Sequence, residues 1–135
     1  MFGRHPQARS TVQITTWNCA RKSRDKILPA VKALRADFAL LQEVARPKET
    51  SPSELWIGTD PRQGVSVIAG DGKQIRISPD YDGTLRFALP VEVLGAFPFQ
   101  LLAIWMLREP VHYVPNLVAI LDCERRREDR AKAAV

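Results

Sequence analysis

Two apolar segments with a charged segment between them dominate the first third of the chain. The stretch "TVQITTW" is rich in β-branched residues and alternates in polarity, which predicts a strand. Over residues 23–35 the apolar side chains Ile27, Val31 and Leu34 recur at helical spacing, which predicts a helix with one buried face. The run "FALLQEV" is short and apolar, as in a buried strand. The pattern therefore predicts a β-α-β unit, with Pro29 in the first turn of its helix.

The rest of the chain alternates between strand-like runs and turn signals. Residues 45–63 are rich in Pro, Ser, Thr and Gly and are interpreted as a loop that Trp56 attaches to the core. The runs "GVSVIAG", "KQIRIS", "LRFALPVEVLG" and "FPFQLLAIWML" predict strands in meander style, with Pro90 marking a bulge or an edge. A helical pattern returns over residues 115–129. This order predicts a mixed α/β sheet rather than a doubly wound one.

The charge and the cysteine content narrow the class of protein. The 135 residues carry a net charge of +5, which weakly favours acidic or phosphate-bearing partners. The basic clusters at 21–26 and 125–127 are interpreted as solvated helix faces. Two cysteines, Cys19 and Cys123, show neither metal-ligand spacing nor a disulfide framework, which favours a reduced, cytoplasmic chain. The sequence shows no secretory signal and no apolar run of about 18 residues, so we expect no membrane insertion.

One polar residue stands at the end of each predicted strand of the β-α-β unit. A strand–helix–strand unit of this length makes a right-handed crossover, which brings the carboxyl ends of both strands to the same edge of the sheet. Asn18 and Glu43 stand at those ends. An amide and a carboxylate that converge at a strand edge suit a Mg²⁺ ion and a phosphate group. Since neither residue is a nucleophile, the implied chemistry is metal-assisted attack by water.

The same segment resembles the N-terminal signature of a known enzyme family. "ITTWNC", then a charged helix, then "ADFALLQE" is similar to the pattern of the endonuclease/exonuclease/phosphatase family, which includes pancreatic-type deoxyribonuclease. The later strands are similar to the next strands of that family more weakly, and the whole resemblance covers roughly residues 11–130. The resemblance implies half of a deoxyribonuclease-like four-layer α/β/β/α sandwich. It also implies hydrolysis of phosphoester bonds with Mg²⁺ or Mn²⁺.

The resemblance assigns a role to each of the two polar residues. By this likeness Glu43 is the metal-binding carboxylate. Asn18 either hydrogen-bonds the scissile phosphate or helps to hold the metal. In the family, a histidine–carboxylate pair and a G-D-x-N strand in the C-terminal half complete the site.

The second half of the sequence departs from the family pattern. Gly70-Asp71 is followed by Gly72-Lys73 and is interpreted as a hairpin turn rather than as the G-D-x-N motif. Trp105 stands where a histidine often follows the corresponding strand. It either replaces that histidine or fills the core. His112 is interpreted as an exposed loop residue, and His5 as part of a tail.

These departures lead us to expect the N-terminal half of a longer fold. We divide the chain into a flexible tail, residues 1–10, and a truncated domain, residues 11–135. We expect such a half to supply one of the two sheets and to expose one face of it. An exposed apolar face favours self-association or a partner chain.

The sequence is compatible with three functions. The first is a metal-dependent phosphoester hydrolase, of nuclease type and inactive alone, because half of a site lacks the general base. The alternative is a non-catalytic, degenerate half-domain that acts in interaction or assembly. The third is a small basic module that binds nucleic acid through its basic clusters. The substrate stays open among DNA, RNA, phosphoinositides and small phosphoesters.

Overall fold

The computed structural model describes residues 11–81 and 83–105, together with the single positions 125, 128, 129 and 132. Within residues 11–105, seven strands and one helix follow one another along the chain. They are β1 (Ile14–Asn18), α1 (Arg24–Leu34), β2 (Phe38–Val44), β3 (Glu54–Asp60), β4 (Gln63–Ala69), β5 (Gln74–Ile77), β6 (Ala88–Leu94) and β7 (Phe99–Ile104).

The first sheet contains the β-α-β unit. Its strand order is β1-β2-β4-β3, with β1 parallel to β2 and with β4 antiparallel to both of its neighbours. Ile14 faces Phe38 across the parallel pair, and Asn18 faces Gln42. The predicted crossover unit is therefore confirmed, and the carboxyl ends of β1 and β2 meet at one edge.

The interpretation of residues 45–63 as a loop is wrong, because β3 lies inside that range. Pro47, Pro52 and Pro61 flank the strand and gave the segment a loop-like composition. Strand β3 forms one edge of the sheet and buries only Ile57, so its sequence shows little apolar alternation. Trp56 does pack against the core, as predicted, but it does so from a strand.

Helix α1 covers one face of the first sheet. Ile27 and Val31 are buried as predicted, whereas Leu34 is exposed at the last turn. Arg35 ends the helix in the left-handed conformation, and its N–H donates to the Lys32 carbonyl. Pro29 was expected in the first turn, but the helix begins at Arg24, so the proline lies in the second turn. The helix therefore lacks one interior hydrogen bond at that position.

The second sheet is an antiparallel meander with the order β5-β6-β7. Pro90 was expected at a bulge or an edge, but it lies in the central strand β6. Its carbonyl accepts the Ser78 N–H at 2.9 Å, just beyond the end of β5. In an antiparallel ladder the N–H and C=O of one residue face the same neighbour. The backbone nitrogen of Pro90, which carries no hydrogen, therefore faces the point where β5 has ended.

The two sheets pack face to face, so the expectation that this half supplies only one sheet is wrong. The packed strands are β3 against β5, β4 against β6 and β2 against β7. Phe38 and Phe99 meet edge to face at 5.6 Å, so β2 and β7 begin at the same end of the sandwich. Buried residues of both sheets form one inter-sheet core, including Val65, Val67, Leu89, Val91 and Ala103. The described residues 11–105 thus form three layers, namely α1, the first sheet and the second sheet.

Several predictions fall on positions that the structure does not describe. The tail over residues 1–10, His5, His112 and most of the predicted helix over 115–129 lie outside the described residues. Arg125, Glu128 and Asp129 belong to that predicted helix and have helical, exposed backbone positions. Within the part of the chain that is described, no helix has the length and apolarity needed to cross a membrane.

Candidate functional site at the carboxyl edge of the first sheet

The β-α-β unit brings the two predicted site residues together. Asn18 is the last residue of β1, and Glu43 is the penultimate residue of β2. The Asn18 Nδ2 atom donates a hydrogen bond to Glu43 Oε1 at 3.3 Å. Asn18 is exposed and Glu43 is half-buried, so both side chains are open to a ligand.

Glu43 occupies a β-bulge. Gln42 pairs with Val65 and Val44 pairs with Gly64, so Glu43 has no partner of its own in β4. Its φ angle is +52°, the left-handed region that costs a non-glycine residue roughly 1–2 kcal/mol. Bulges of this kind redirect a side chain next to functional sites. The bulge takes Glu43 out of the regular ladder while its neighbours stay paired.

A tight loop after β1 is joined to this bulge by backbone hydrogen bonds. The Cys19 N–H donates to the Gln42 carbonyl at 2.8 Å, and the Arg21 N–H donates to the Glu43 carbonyl at 3.0 Å. Ala20 and Arg21 both have positive φ angles, of 50° and 61°. The loop therefore holds the strand end that carries Asn18 against the strand end that carries Glu43.

The orientation of the Asn18 amide follows from its neighbours. The Ala20 backbone N–H lies 3.0 Å from one terminal atom of the Asn18 side chain. A backbone N–H can only donate, so that atom is the oxygen, and the amide nitrogen faces Glu43. With its oxygen engaged, Asn18 offers N–H groups on the side of Glu43. This arrangement favours a hydrogen bond to a phosphate oxygen over coordination of a metal ion.

Basic residues lie beside the pair. Arg21 and Lys22 belong to the loop before α1 and are exposed, so the expectation that they form a solvated helix face is wrong. Arg21 Nε donates to the Gln63 side chain at 2.7 Å, which ties the loop to the start of β4. Lys22 Nζ lies 5.8 Å from the centre of the Trp17 ring. Both cations stand at the same edge as Asn18 and Glu43.

The tip of the β3–β4 hairpin lies at this edge as well. Asp60 and Arg62 form an exposed ion pair at 2.8 Å. Hydrogen bonds from the Arg62 side chain and backbone hold the pKa of Asp60 at about 2. Asp60 is therefore ionised throughout the physiological range, and Arg62 is engaged with it.

A buried ionic network, which the sequence did not reveal, anchors the first turn of α1. Arg24 is not solvated, because its guanidinium pairs with the Glu54 carboxylate and donates to the Ala45 carbonyl at 2.6 Å. The other Glu54 oxygen accepts a hydrogen bond from the Ser66 hydroxyl at 2.5 Å. Arg24 and Glu54 are only 14% and 10% exposed. The network connects the helix with β3 and β4 directly behind the loop of the site.

Cys19 follows Asn18 directly but points into the core beneath α1. Its side chain is fully buried. Burial raises the pKa of the thiol from 9.0 to about 11, with a further increase from the Glu43 charge that nearby Arg24 and Lys22 partly offset. The thiol is therefore protonated and inaccessible at neutral pH, which excludes a nucleophilic role in the native protein.

Two other residues singled out in the sequence lie away from this pair. Asp71 stands in a turn between β4 and β5, as predicted, but the turn is not a hairpin, because the two strands belong to different sheets. Since β4 runs antiparallel to β2, that turn lies at the opposite edge from Glu43. Trp105 is 9% exposed and packs edge to face on Phe87 at 5.5 Å. Of its two readings, the structure supports the one in which it fills the core.

The metal-binding capacity of the described residues is limited. Within residues 11–81 and 83–105 and the four single positions, no group of three or more His, Cys, Asp or Glu side chains is placed to hold a metal ion. At this edge Glu43 is accompanied by an amide donor and two exposed cations, while the Asp60 carboxylate is engaged with Arg62.

Comparison with known proteins identifies the fold. No protein-family model and no curated protein sequence matches the chain. Among solved structures, the chain is similar to the endonuclease domain of TRAS1, a telomere-specific non-LTR retrotransposon, with a TM-score of 0.59 and 15% sequence identity. The match covers 90% of this chain and 54% of that domain, so the chain spans about half of its neighbour's length. The chain therefore has a deoxyribonuclease I-like fold, and the resemblance seen in the sequence is confirmed at the level of fold.

Proposed function

We propose that the chain is the front half of a metal-dependent phosphoester hydrolase of nuclease type. Asn18 and Glu43 are the part of the active site that this half supplies. The observation that carries the proposal is their hydrogen bond of 3.3 Å across two adjacent parallel strand ends, with Glu43 held in a strained bulge. The fold shared with a retrotransposon endonuclease domain favours a nuclease over a phosphatase.

Glu43 is the metal ligand in this proposal. A Mg²⁺ ion is usually held by one or two carboxylates, several waters and the substrate phosphates, so a single carboxylate in this half is compatible with such an ion. Mn²⁺ accepts the same oxygen ligands. When bound, the ion would stabilise charge on the phosphoryl oxygens and increase the acidity of a bound water.

Asn18, Arg21 and Lys22 bind the phosphate group. The Asn18 amide nitrogen faces Glu43 and offers a hydrogen-bond donor, while the two exposed cations supply positive charge beside it. Preorganised donors and cations of this kind stabilise the charge that develops on a phosphate in the transition state. We assign Asn18 to the phosphate rather than to the metal, because its amide nitrogen faces Glu43 while its oxygen points to the Ala20 N–H at 3.0 Å.

The isolated chain is expected to be inactive. The G-D-x-N motif and the histidine–carboxylate pair of the family have no match in this sequence. Without a general base and further carboxylates, hydrolysis loses several orders of magnitude in rate. Metal binding is therefore a better test of this half than turnover is.

The test is a titration with Mn²⁺, in which electron paramagnetic resonance measures the free ion. The unmodified chain is expected to bind one ion, and Glu43→Gln is expected to weaken that binding about tenfold or more. Asp71→Asn is the matched control, because it removes an exposed carboxylate at the opposite edge of the sheet. Supercoiled plasmid with Mg²⁺ is incubated in parallel and is expected to remain uncut.

The alternative is a non-catalytic half-domain that acts in interaction or assembly. The lack of a multidentate metal cluster among the described residues favours it. If Glu43→Gln and the unmodified chain bind Mn²⁺ equally, this alternative replaces the hydrolase. Salt-dependent binding of nucleic acid without metal would instead favour the small basic module.

A further inference from the structure

Three successive carbonyl groups at the bulge accept hydrogen bonds from outside the β2–β4 ladder. The Gln42 carbonyl accepts the Cys19 N–H, and the Glu43 carbonyl accepts the Arg21 N–H. The Val44 carbonyl accepts the indole Nε1–H of Trp56 at 3.0 Å. Trp56 thus supplies a side-chain donor at a point where the other two donors are backbone groups.

The Trp56 side chain crosses β4 to reach the Val44 carbonyl, and the β4 residue that it crosses is a glycine, which has no side chain. Trp56 lies in β3, two strands away from Val44, and β4 runs between them. Gly64 of β4 pairs with Val44, and a Cβ atom on Gly64 would lie 2.4 Å from Cζ2 of the indole ring. A Cβ atom on Gly58 would lie 2.7 Å from the same ring. The two glycines therefore make the groove that holds the indole.

A cation also lies over this ring. The Arg46 guanidinium carbon is 4.9 Å from the centre of the Trp56 ring, and Arg46 follows Val44 by two residues. The Arg46 backbone N–H donates to the Pro61 carbonyl at 2.8 Å. The segment that leaves β2 is thereby held against both the indole and the β3–β4 turn.

We infer that Trp56 is a positioning residue for Glu43. Its indole N–H fixes the Val44 carbonyl on one side of the bulge, as the loop after β1 fixes the Gln42 and Glu43 carbonyls. A backbone in the left-handed region persists only where its surroundings determine it. Loss of the indole donor lets the bulge relax and moves the Glu43 carboxylate away from Asn18. The structural part of this inference stands on the contacts alone, and its effect on metal binding rests on the proposed function.

The test uses Trp56→Phe in the full chain, because phenylalanine keeps an aromatic ring in the glycine groove but has no N–H. Amide hydrogen exchange by NMR reports on the bulge through the Arg21 N–H, which donates to the Glu43 carbonyl. We expect this amide to exchange about tenfold faster in the variant, while the Trp105 N–H, bonded to Phe87, exchanges at an unchanged rate.

Two control variants separate positioning from a general loss of stability. Leu89→Val trims a fully buried side chain of the second sheet and destabilises the fold without touching the bulge. Arg46→Met removes the cation over the ring but leaves the indole donor in place. Neither control is expected to accelerate exchange at Arg21 selectively. If Trp56→Phe does not fold, exchange of the Trp56 indole N–H in the unmodified chain replaces it, and fast exchange of that proton overturns the inference.

Mn²⁺ titrations of the same variants give the second readout, with an expected tenfold loss of affinity in Trp56→Phe. If the unmodified chain binds no Mn²⁺ while Trp56→Phe still accelerates Arg21 exchange, the proposed function fails and the positioning role stands. If Glu43→Gln abolishes binding but Trp56→Phe changes neither readout, the positioning role fails alone.

Discussion

At the scale of single residues, the site combines one strained backbone with one hydrogen bond. Glu43 has a φ angle of +52° although glycine would adopt this conformation without cost. Its carboxylate lies at hydrogen-bonding distance from Asn18 as a consequence of that bulge. A residue that weakens the fold at a strand end, where ligand sites of such sheets form, is better explained by function than by stability.

Two replacements of Glu43 separate the effect of its backbone strain on stability from the effect of its carboxylate on metal binding. Glu43→Gly is expected to raise the free energy of unfolding by about 0.5–1 kcal/mol relative to Glu43→Gln, because only glycine relieves the left-handed strain. Both variants are expected to lose Mn²⁺ binding. Urea denaturation of the two proteins, side by side, measures the difference. Equal stability of the two variants would mean that the bulge stores no strain at this position.

Cys19 makes stability depend on alkaline pH. The pKa of its thiol is about 11 in the folded chain against 9.0 when unperturbed, because burial disfavours the thiolate. Below pH 9 both states keep the proton. Between these two pKa values the unfolded chain releases the proton and the folded chain retains it, so the free energy of unfolding falls as pH rises.

The loss is expected to be on the order of 2 kcal/mol across that range. Cys19→Ala, compared in a Cys123→Ser background, is expected to lack this part of the alkaline loss, since other titrating groups are common to both proteins. Denaturation at a series of alkaline pH values provides the measurement. Parallel pH profiles for the two proteins would contradict the prediction, as would rapid alkylation of native Cys19 at neutral pH.

At the scale of elements, the sequence predicted the strands and the helix that have a clear local pattern. It did not predict the features that depend on neighbouring strands. The apolar runs and the helical spacing of Ile27 and Val31 predicted the β-α-β unit, and its topology placed Asn18 beside Glu43. The strand β3 was missed because an edge strand between prolines carries little alternation. Pro90 was predicted at a bulge or an edge, whereas it lies in the central strand β6. A proline is accepted there because β5 has ended opposite its nitrogen, and no local sequence pattern shows where β5 ends. The bulge at Glu43 had no signal in composition.

The buried pair Arg24–Glu54 joins two of these elements and makes a further prediction. Arg24→Met is expected to destabilise the protein by about 3 kcal/mol, because it leaves the Glu54 carboxylate buried without its cation. Adding Glu54→Met is expected to recover a large part of that loss, since the Ser66 hydroxyl keeps the Leu55 carbonyl as a partner at 3.1 Å. Thermal denaturation of the single and double variants tests this. A double variant less stable than Arg24→Met alone would refute the account.

At the scale of the whole molecule, the position of the second sheet determines which strands of the first sheet it covers. The strands β5, β6 and β7 lie against β3, β4 and β2, respectively. Ile14 shares the face of Phe38, which is buried in the inter-sheet core, yet Ile14 is 49% exposed. Among the described residues, the exposed side chain of Ile14 marks a strip along β1 that the second sheet leaves open.

This strip is where we expect a second copy of the chain to associate. Ile14 lies on β1, which is an edge strand of the first sheet as far as the chain is described, and the exposed edge of a sheet offers a template for pairing. Ile14→Lys is expected to shift the protein toward monomer, because lysine on an edge opposes strand addition. Ala30→Lys, on the exposed side of α1, adds the same charge elsewhere and is expected to leave association unchanged. Light scattering over a range of concentrations distinguishes them. A monomer at all concentrations, or an equal effect of both lysines, would show that the β1 strip does not mediate self-association.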